Sequence, residues 1–452
     1  MKAASKQAPL SSAPIPGPKS QALLAAESEY VAPGLQRIAQ LSGLAMAEGR
    51  GCTLIDADGN EYLDFFAGVA VASLGHSHPR FVSALIDQLK RLTVGSFTTE
   101  PRAALLKLLA ELAPGALKRT QLYSSGAEAV EAAIRLAKAY TKKHEVVGFW
   151  GGFHGKTGGV MGLIGDEWKQ KWGPLPGGTY QVPYADCYRC PFKLTYPDCG
   201  MACLDFMRQS LKTTTAGMIA AVLVEPMQGT AGNVIPPPEF LPGVQDIARE
   251  NDALLIADEM ITGFGRTGRM FGCDHTGVEP DVMTIGKGFG GGFPVTGLMS
   301  TDAITAALPF AKASASSSSY GGNPLAATAA LTTLATIIDE GLVDNARHVG
   351  AVLLDGLRAL QEKYEFIGDV RGAGLLIGMD LVKDRATKEP LAKHVSEQVF
   401  LAALRRGLLL MGYFSRVRIN PPLTLSEQEA RDGVAILDEV FAEIARDHRY
   451  RQ

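Results

Sequence analysis

The chain has 452 residues, 46% of them hydrophobic and 20% charged. That is an ordinary globular balance, which excludes wholesale disorder and points to about three domain-sized units or one large α/β body with a smaller lobe. Its 44 basic and 47 acidic side chains leave a net charge of −3, so it carries no electrostatic footprint for nucleic acid; no apolar run approaches the roughly 18–20 residues that cross a bilayer.

Residues 1–30 are expected to form a flexible N-terminal arm, with Pro9, Pro14, Pro16 and Pro18 set among Ser, Ala and Lys. Ala22–Ala26 is too short for a secretory apolar core and the arm contains no Arg, so the cytoplasm is the expected compartment. Residues 31–75 are assigned to the N-terminal part of a small domain, 76–340 to a large domain and 341–452 to the rest of the small one. Between 120 and 300, short apolar runs alternate with helical patterns, the mark of parallel strands joined by crossover helices. Strands are predicted at 120–123, 146–150, 220–224, 254–257 and 282–285, with a helix over 127–141 carrying Val130, Ile134 and Ala137 on one face. Further on, 366–370 and 375–381 are predicted strands, 393–406 is a helix, and Ser426 with Glu429 forms a capping box for the last helix.

Three strand ends suit one task, because ligands of open parallel sheets bind beyond the carboxyl ends of the strands. Leu254–Ala257 runs into Asp258 and Glu259; Val282–Ile285 runs into Gly286-Lys287-Gly288; Ser124-Ser125-Gly126-Ala127 joins a strand to a helix whose free amides suit a phosphate. A phosphate cradle, a buried acid and an accessible lysine are what pyridoxal phosphate needs: the acid keeps the pyridine nitrogen protonated and the lysine forms a Schiff base. Singly, each feature also fits a cap, a salt-bridge partner or a solvated turn. A Walker A loop is excluded because Gly288, not Ser or Thr, follows Lys287, and Gly286–Gly292 does not follow the dinucleotide pattern.

Ile256-Ala257-Asp258-Glu259-Met260-Ile261-Thr262-Gly263-Phe264-Gly265-Arg266-Thr267-Gly268, followed 29 residues after Asp258 by Lys287, resembles the class III aminotransferases among the fold type I pyridoxal phosphate enzymes. Asp56-x-Asp58-Gly59, Gly75-His76-x-His78-Pro79, Gly321-Gly322-Asn323-Pro324 and Arg371-Gly372-x-Gly374 resemble further hallmarks, from about Gly49 to the C-terminus. The resemblance implies an α/β fold with a mostly parallel seven-stranded sheet in the large domain and a smaller α/β lobe built from both termini. It implies Lys287 as Schiff-base lysine and proton shuttle, Asp258 as partner of the pyridinium, and Ser125, Gly126 and Ala127 around the phosphate. Phe153, followed by His154, would stack on one ring face, Glu225 would lie near the cofactor hydroxyl or the Asp258 network, and Met260 and Ile261 would line the ring. Ser319 would reach the phosphate of a neighbouring subunit, implying a homodimer or a tetramer. Arg418 would clamp a substrate carboxylate and move aside for a neutral side chain.

The resemblance also sets expectations for substrates. Ile261 stands where 4-aminobutyrate and ornithine enzymes and related racemases carry glutamine; Thr230 stands where relatives acting on γ-amino acids often hold the arginine with glutamate; Ala70 replaces a bulky aromatic. These departures favour a transaminase moving an amino group from a terminal amine or ω-amino acid to a 2-oxo acid, with pyruvate expected, in two half-reactions. The alternatives are a racemase, epimerase or decarboxylase of the same fold, and a 4-aminobutyrate- or ornithine-type enzyme using 2-oxoglutarate. His76 and His78 are expected as turn and cap residues, and Trp150, Trp168 and Trp172 as packing residues. Cys187, Cys190, Cys199 and Cys203 have the spacing C-x2-C-x8-C-x3-C. It admits tetrahedral zinc, but with no histidine and a tight middle interval we expect reduced thiols, a loop that could lid the site, and no metal.

Overall fold

A computed structural model describes residues 15–446 and 448–451. Its centre is a seven-stranded sheet of β1 (Arg119–Tyr123), β2 (Glu145–Phe149), β3 (Thr179–Val182), β4 (Ile219–Val224), β5 (Leu254–Asp258), β6 (Val282–Ile285) and β7 (Thr296–Ser300), in the order β1-β7-β6-β5-β4-β2-β3. Only β7 runs antiparallel to its neighbours. β4, β5 and β6 are buried at every position, as strands covered on both faces must be, which is why they are continuous apolar runs. Successive side chains alternate between faces. Ala221, Leu223 and Ile256 pack under the helix Gly126–Thr141, while Val222, Val224, Leu255 and Ala257 pack under Ala202–Thr214 and Phe240–Glu250.

A second layer joins the two ends of the chain. Strands Met46–Arg50, Thr53–Asp56 and Glu61–Asp64 form a sheet that Leu408–Leu409 extends, pairing parallel with the third. Ile367–Ala373, Leu376–Asp384 and Arg416–Ile419 make an antiparallel sheet beneath Leu342–Lys363, which in turn packs on Glu427–Arg446. The expected capping box is reciprocal: Glu429 N donates to Ser426 Oγ at 3.3 Å and Ser426 N to Glu429 Oε2 at 2.8 Å.

The expected arm is corrected in part. Residues 1–14 lie outside the described residues, but Pro18–Ser28 is a helix. Pro18 suits its first turn, and the amides of Lys19 and Ser20 donate to the carboxylate of Asp58 at 2.8 and 2.9 Å. That cap comes from a residue about forty positions away, so local composition carries no sign of it. The tryptophans are corrected as well: Trp150, Trp168 and Trp172 are 48%, 54% and 68% exposed. Among the described residues no single helix is long and apolar enough to cross a membrane.

Candidate active site

Asp258 is the last residue of β5 and pairs in register with Thr284 of β6. Three residues further, the chain leaves β6 through Gly286 and turns at Lys287, whose φ is +46°. The neighbouring glycines are required by contact: a Cβ on Gly286 would lie 2.5 Å from Met260 Sδ, and one on Gly288 2.3 Å from Ser73 Oγ. Adjacent parallel strands thus deliver the acid and the lysine to the same end of the sheet, near enough that each feels the other's charge.

Asp258 is buried and hydrogen-bonded at both oxygens. Its Oδ2 lies 2.6 Å from His154 Nδ1, and its Oδ1 accepts from Thr284 Oγ1 at 3.0 Å and Met260 N at 3.1 Å. Burial pushes its carboxyl upward, but the hydrogen bond and charge of His154, then Lys287 and the Met260 amide, hold it below the ordinary carboxylate range. His154 is the converse: burial favours the neutral ring, yet Asp258 and then Glu225 hold it above its usual value. The two form a buried charged pair behind the acid's outward face. Glu225, at the end of β4, accepts from the amides of Phe153 and Gly229 at 3.0 Å each; burial raises its carboxyl despite those bonds and His154. Lys287 retains some accessible surface, but the protein around its ammonium pushes its value down, with Asp258 and Glu225 opposing and Arg418 reinforcing the shift.

At the end of β1, Ser125 caps the helix Gly126–Thr141, its Oγ accepting from Glu128 N at 3.2 Å. The first-turn amides of Gly126 and Ala127 have no carbonyl partner within the helix. Gly155 closes the wall behind them: at φ +123° its Cβ would stand 2.4 Å from that of Ala127. Met260 Sδ lies 3.5 Å from the place a Gly126 Cβ would take, and Ile261 is buried with Ala70, Met227 and Leu376. Ala70 closes a run of four residues, Ala67–Ala70, all with φ between +46° and +68°, a left-handed turn that costs each L-residue about 1–2 kcal/mol. Phe153 meets Trp168 edge to face at 6.2 Å.

Arg418 lies on the strand Arg416–Ile419. Burial lowers its guanidinium, with Tyr413 and Glu225 opposing, and among the described residues its side chain makes no hydrogen bond or ion pair, while its backbone pairs with Met411. Ser319 is exposed beside Tyr320 and makes no hydrogen bond among them either. The other sequence-assigned residues converge. His76 pairs with Asp64 at 2.7 Å and His78 precedes the helix Pro79–Leu89, as turn and cap residues. The partnership of His154 and Thr284 with Asp258, and Ser73 packed against Gly288, escaped the sequence reading. Thr284 carried one usable signal: it lies two residues before Gly286 on a strand whose neighbour ends in the acid.

The residues fit pyridoxal phosphate in kind: unpaired amides at a helix start for a phosphate, a buried carboxylate held anionic for a pyridinium, and a lysine facing it. The family model for Aminotransferase class-III matches residues 36–441. This chain belongs to that family. Among curated relatives of the class-III chain, the 4-aminobutyrate aminotransferase GabT of Escherichia coli K12 is 34% identical over 90% of this chain and 95% of its own. A leucine/methionine racemase of Thermococcus litoralis is 35% identical over 86% and 88%. Among solved structures, a thermostable (S)-enantioselective omega-transaminase from Thermomicrobium roseum superposes with a TM-score of 0.86 at 30% identity, over 94% of this chain and 98% of that one. The class-III chain is therefore an aminotransferase with the expected α/β fold.

Proposed function

We propose that this aminotransferase uses pyridoxal phosphate to move an amino group from a terminal amine or ω-amino acid to a 2-oxo acid, with pyruvate the preferred acceptor. The observation that carries the reading is the placement of Asp258, hydrogen-bonded to His154 and Thr284, and of Lys287 at the ends of adjacent strands, where each feels the other's charge. When bound, the cofactor supplies an aldehyde for the amine and an electron-withdrawing ring. Ser125, Gly126 and Ala127 would hold its phosphate, Phe153 and Met260 would flank its ring, and the Asp258 carboxylate would accept from the ring N–H. Glu225 and Ile261 shape the rim. Lys287, whose ammonium burial disfavours, would at its Nζ take a proton from the amine-bearing carbon and return it to the other side of the C–N unit. Arg418, without a competing partner, receives a carboxylate in one half-reaction and turns away in the other.

Ser319 is assigned to the phosphate of a second subunit in a homodimer. Supporting this are its exposure beside Tyr320 and a run of exposed apolar side chains, Val82, Ile86, Leu89, Leu92, Val94 and Phe97. We also propose the division into a lobe of 31–75 with 341–452 and a large domain of 76–340, which the pairing of Leu408–Leu409 with Leu63 and Asp64 supports.

The test is a panel of amine donors offered with pyruvate and with 2-oxoglutarate, following loss of the cofactor's absorbance. Turnover of terminal amines with pyruvate is expected, and Lys287→Ala should abolish both activity and borohydride trapping. Reaction of γ- or δ-amino acids alone, with 2-oxoglutarate alone, would overturn the substrate reading. The racemase relative favours one alternative, and chiral analysis of an amino acid incubated without any oxo acid separates it: inversion there would replace the transaminase.

A further inference from the structure

Cys187, Cys190, Cys199 and Cys203 all line one small cavity of about 20 Å³, together with Tyr184 and Phe192. All four are free thiols. Their convergence is built by the fold. Between the first pair, Tyr188 and Arg189 turn away to the small lobe: Arg189 Nε donates to the buried Asp380 at 2.7 Å, its Nη1 donates to Lys388 O at 2.9 Å, and Lys388 Nζ donates to Tyr188 O at 2.8 Å. Cys187 and Cys190 are thereby held on the other side, toward the cavity. The second pair is fixed by the helix Ala202–Thr214, with Cys203 in its first turn and Leu204 anchored in the core. Cys199 is tied into the preceding turn by its amide to Thr195 O at 2.9 Å.

We propose that these four cysteines are a tetrathiolate site for one soft divalent cation, zinc in the cell. The chemistry of the set argues for it. Two local cysteine pairs facing one apolar pocket are the ligand pattern of closed tetrahedral sites. As the side chains stand, no three such groups among the described residues are spaced to hold an ion; rotation of the cysteine arms into the cavity is the required change. Binding one cation releases four thiol protons to solvent and leaves a site charge of −2.

The site would hold the loop that carries Arg189. Asp380 also receives Arg371 at 2.7 Å, and Arg371 and Arg416 donate to the backbone carbonyls of Ala231, Gly232 and Asn233, linking the cysteine loop to the segment after Glu225.

The full chain, reduced and stripped by a chelator, is titrated with cobalt(II). One equivalent per chain should give thiolate charge-transfer and tetrahedral d–d absorption, and elemental analysis of the untreated protein should find one zinc per chain. Cys190→Ser and Cys199→Ser should each lose the cobalt spectrum at one equivalent, Cys199→His should retain one ion with shifted bands, and Cys52→Ser, buried elsewhere, should change nothing. Absence of stoichiometric cobalt binding, a spectrum indifferent to Cys190→Ser and Cys199→Ser, or a disulfide among the four in a protein that binds no cobalt when reduced would each overturn the proposal.

Discussion

Thr284→Val tests the electrostatic core of the site with the least change of shape. Valine fills the same volume on β6, so the strand register and core are kept, but the hydroxyl that donates to Asp258 Oδ1 at 3.0 Å is lost between two fully buried residues. A hydrogen bond to a charged acceptor contributes about 1.5–3 kcal/mol, which is roughly 10- to 150-fold in an equilibrium constant. The sign with pH follows from the direction of the shift. Asp258 is held below its ordinary value in the fold, so the stabilisation is present above the ordinary carboxylate range and fades as pH falls through the folded value. His154, held above its usual value, contributes fully below the ordinary imidazole value and loses its share as pH rises through its folded value. The assay is urea unfolding of the parent and Thr284→Val at matched protein concentration, from neutral to acid pH. Thr284→Val should be less stable by about 1.5–3 kcal/mol at neutral pH, with the gap narrowing in acid, and Thr284→Ser should recover most of it. In an Asp258→Asn background the valine should cost much less. A neutral-pH stability equal to the parent's, or an undiminished loss in that background, would refute the reasoning.

Gly155→Ala should cost at least about 2 kcal/mol, because it places a Cβ at 2.4 Å from Ala127's in a backbone region alanine rarely adopts; the melting temperature should fall and cofactor release should quicken, since the clash displaces the phosphate cradle. Arg418→Leu should reduce the half-reaction of a carboxylate-bearing acceptor by about 2–5 kcal/mol in kcat/KM while sparing a donor amine that has no carboxylate, read by single-turnover absorbance for each half-reaction. Ser426→Ala, which removes the hydroxyl that accepts from Glu429 N and donates to Glu429 Oε2, should lower stability by about 0.5–2 kcal/mol and leave turnover unchanged.

The strands and the chemistry at their ends were legible because both are local in the chain. Burial on both faces forces largely apolar runs at 219–224, 254–257 and 282–285, and an acid or a lysine within two residues of such a run's end must emerge at the ligand-binding edge. The motif around Asp258 and its interval to Lys287 were enough to assign the family. Hydrogen-bond partners were not legible, since nothing local says which histidine among the chain's 8 meets Asp258; that required β5 and the loop after β2 to be brought together over 104 positions. The same holds for the Asp58 carboxylate that starts the first described helix, and for the convergence of the four cysteines on one cavity. Side-chain type and strand period are properties of short segments, so the sequence by itself determined the layers and the kind of chemistry. Partnership, ionisation state and the close approach of glycines depend on distances between segments far apart in the chain, and only the packed tertiary structure decided them.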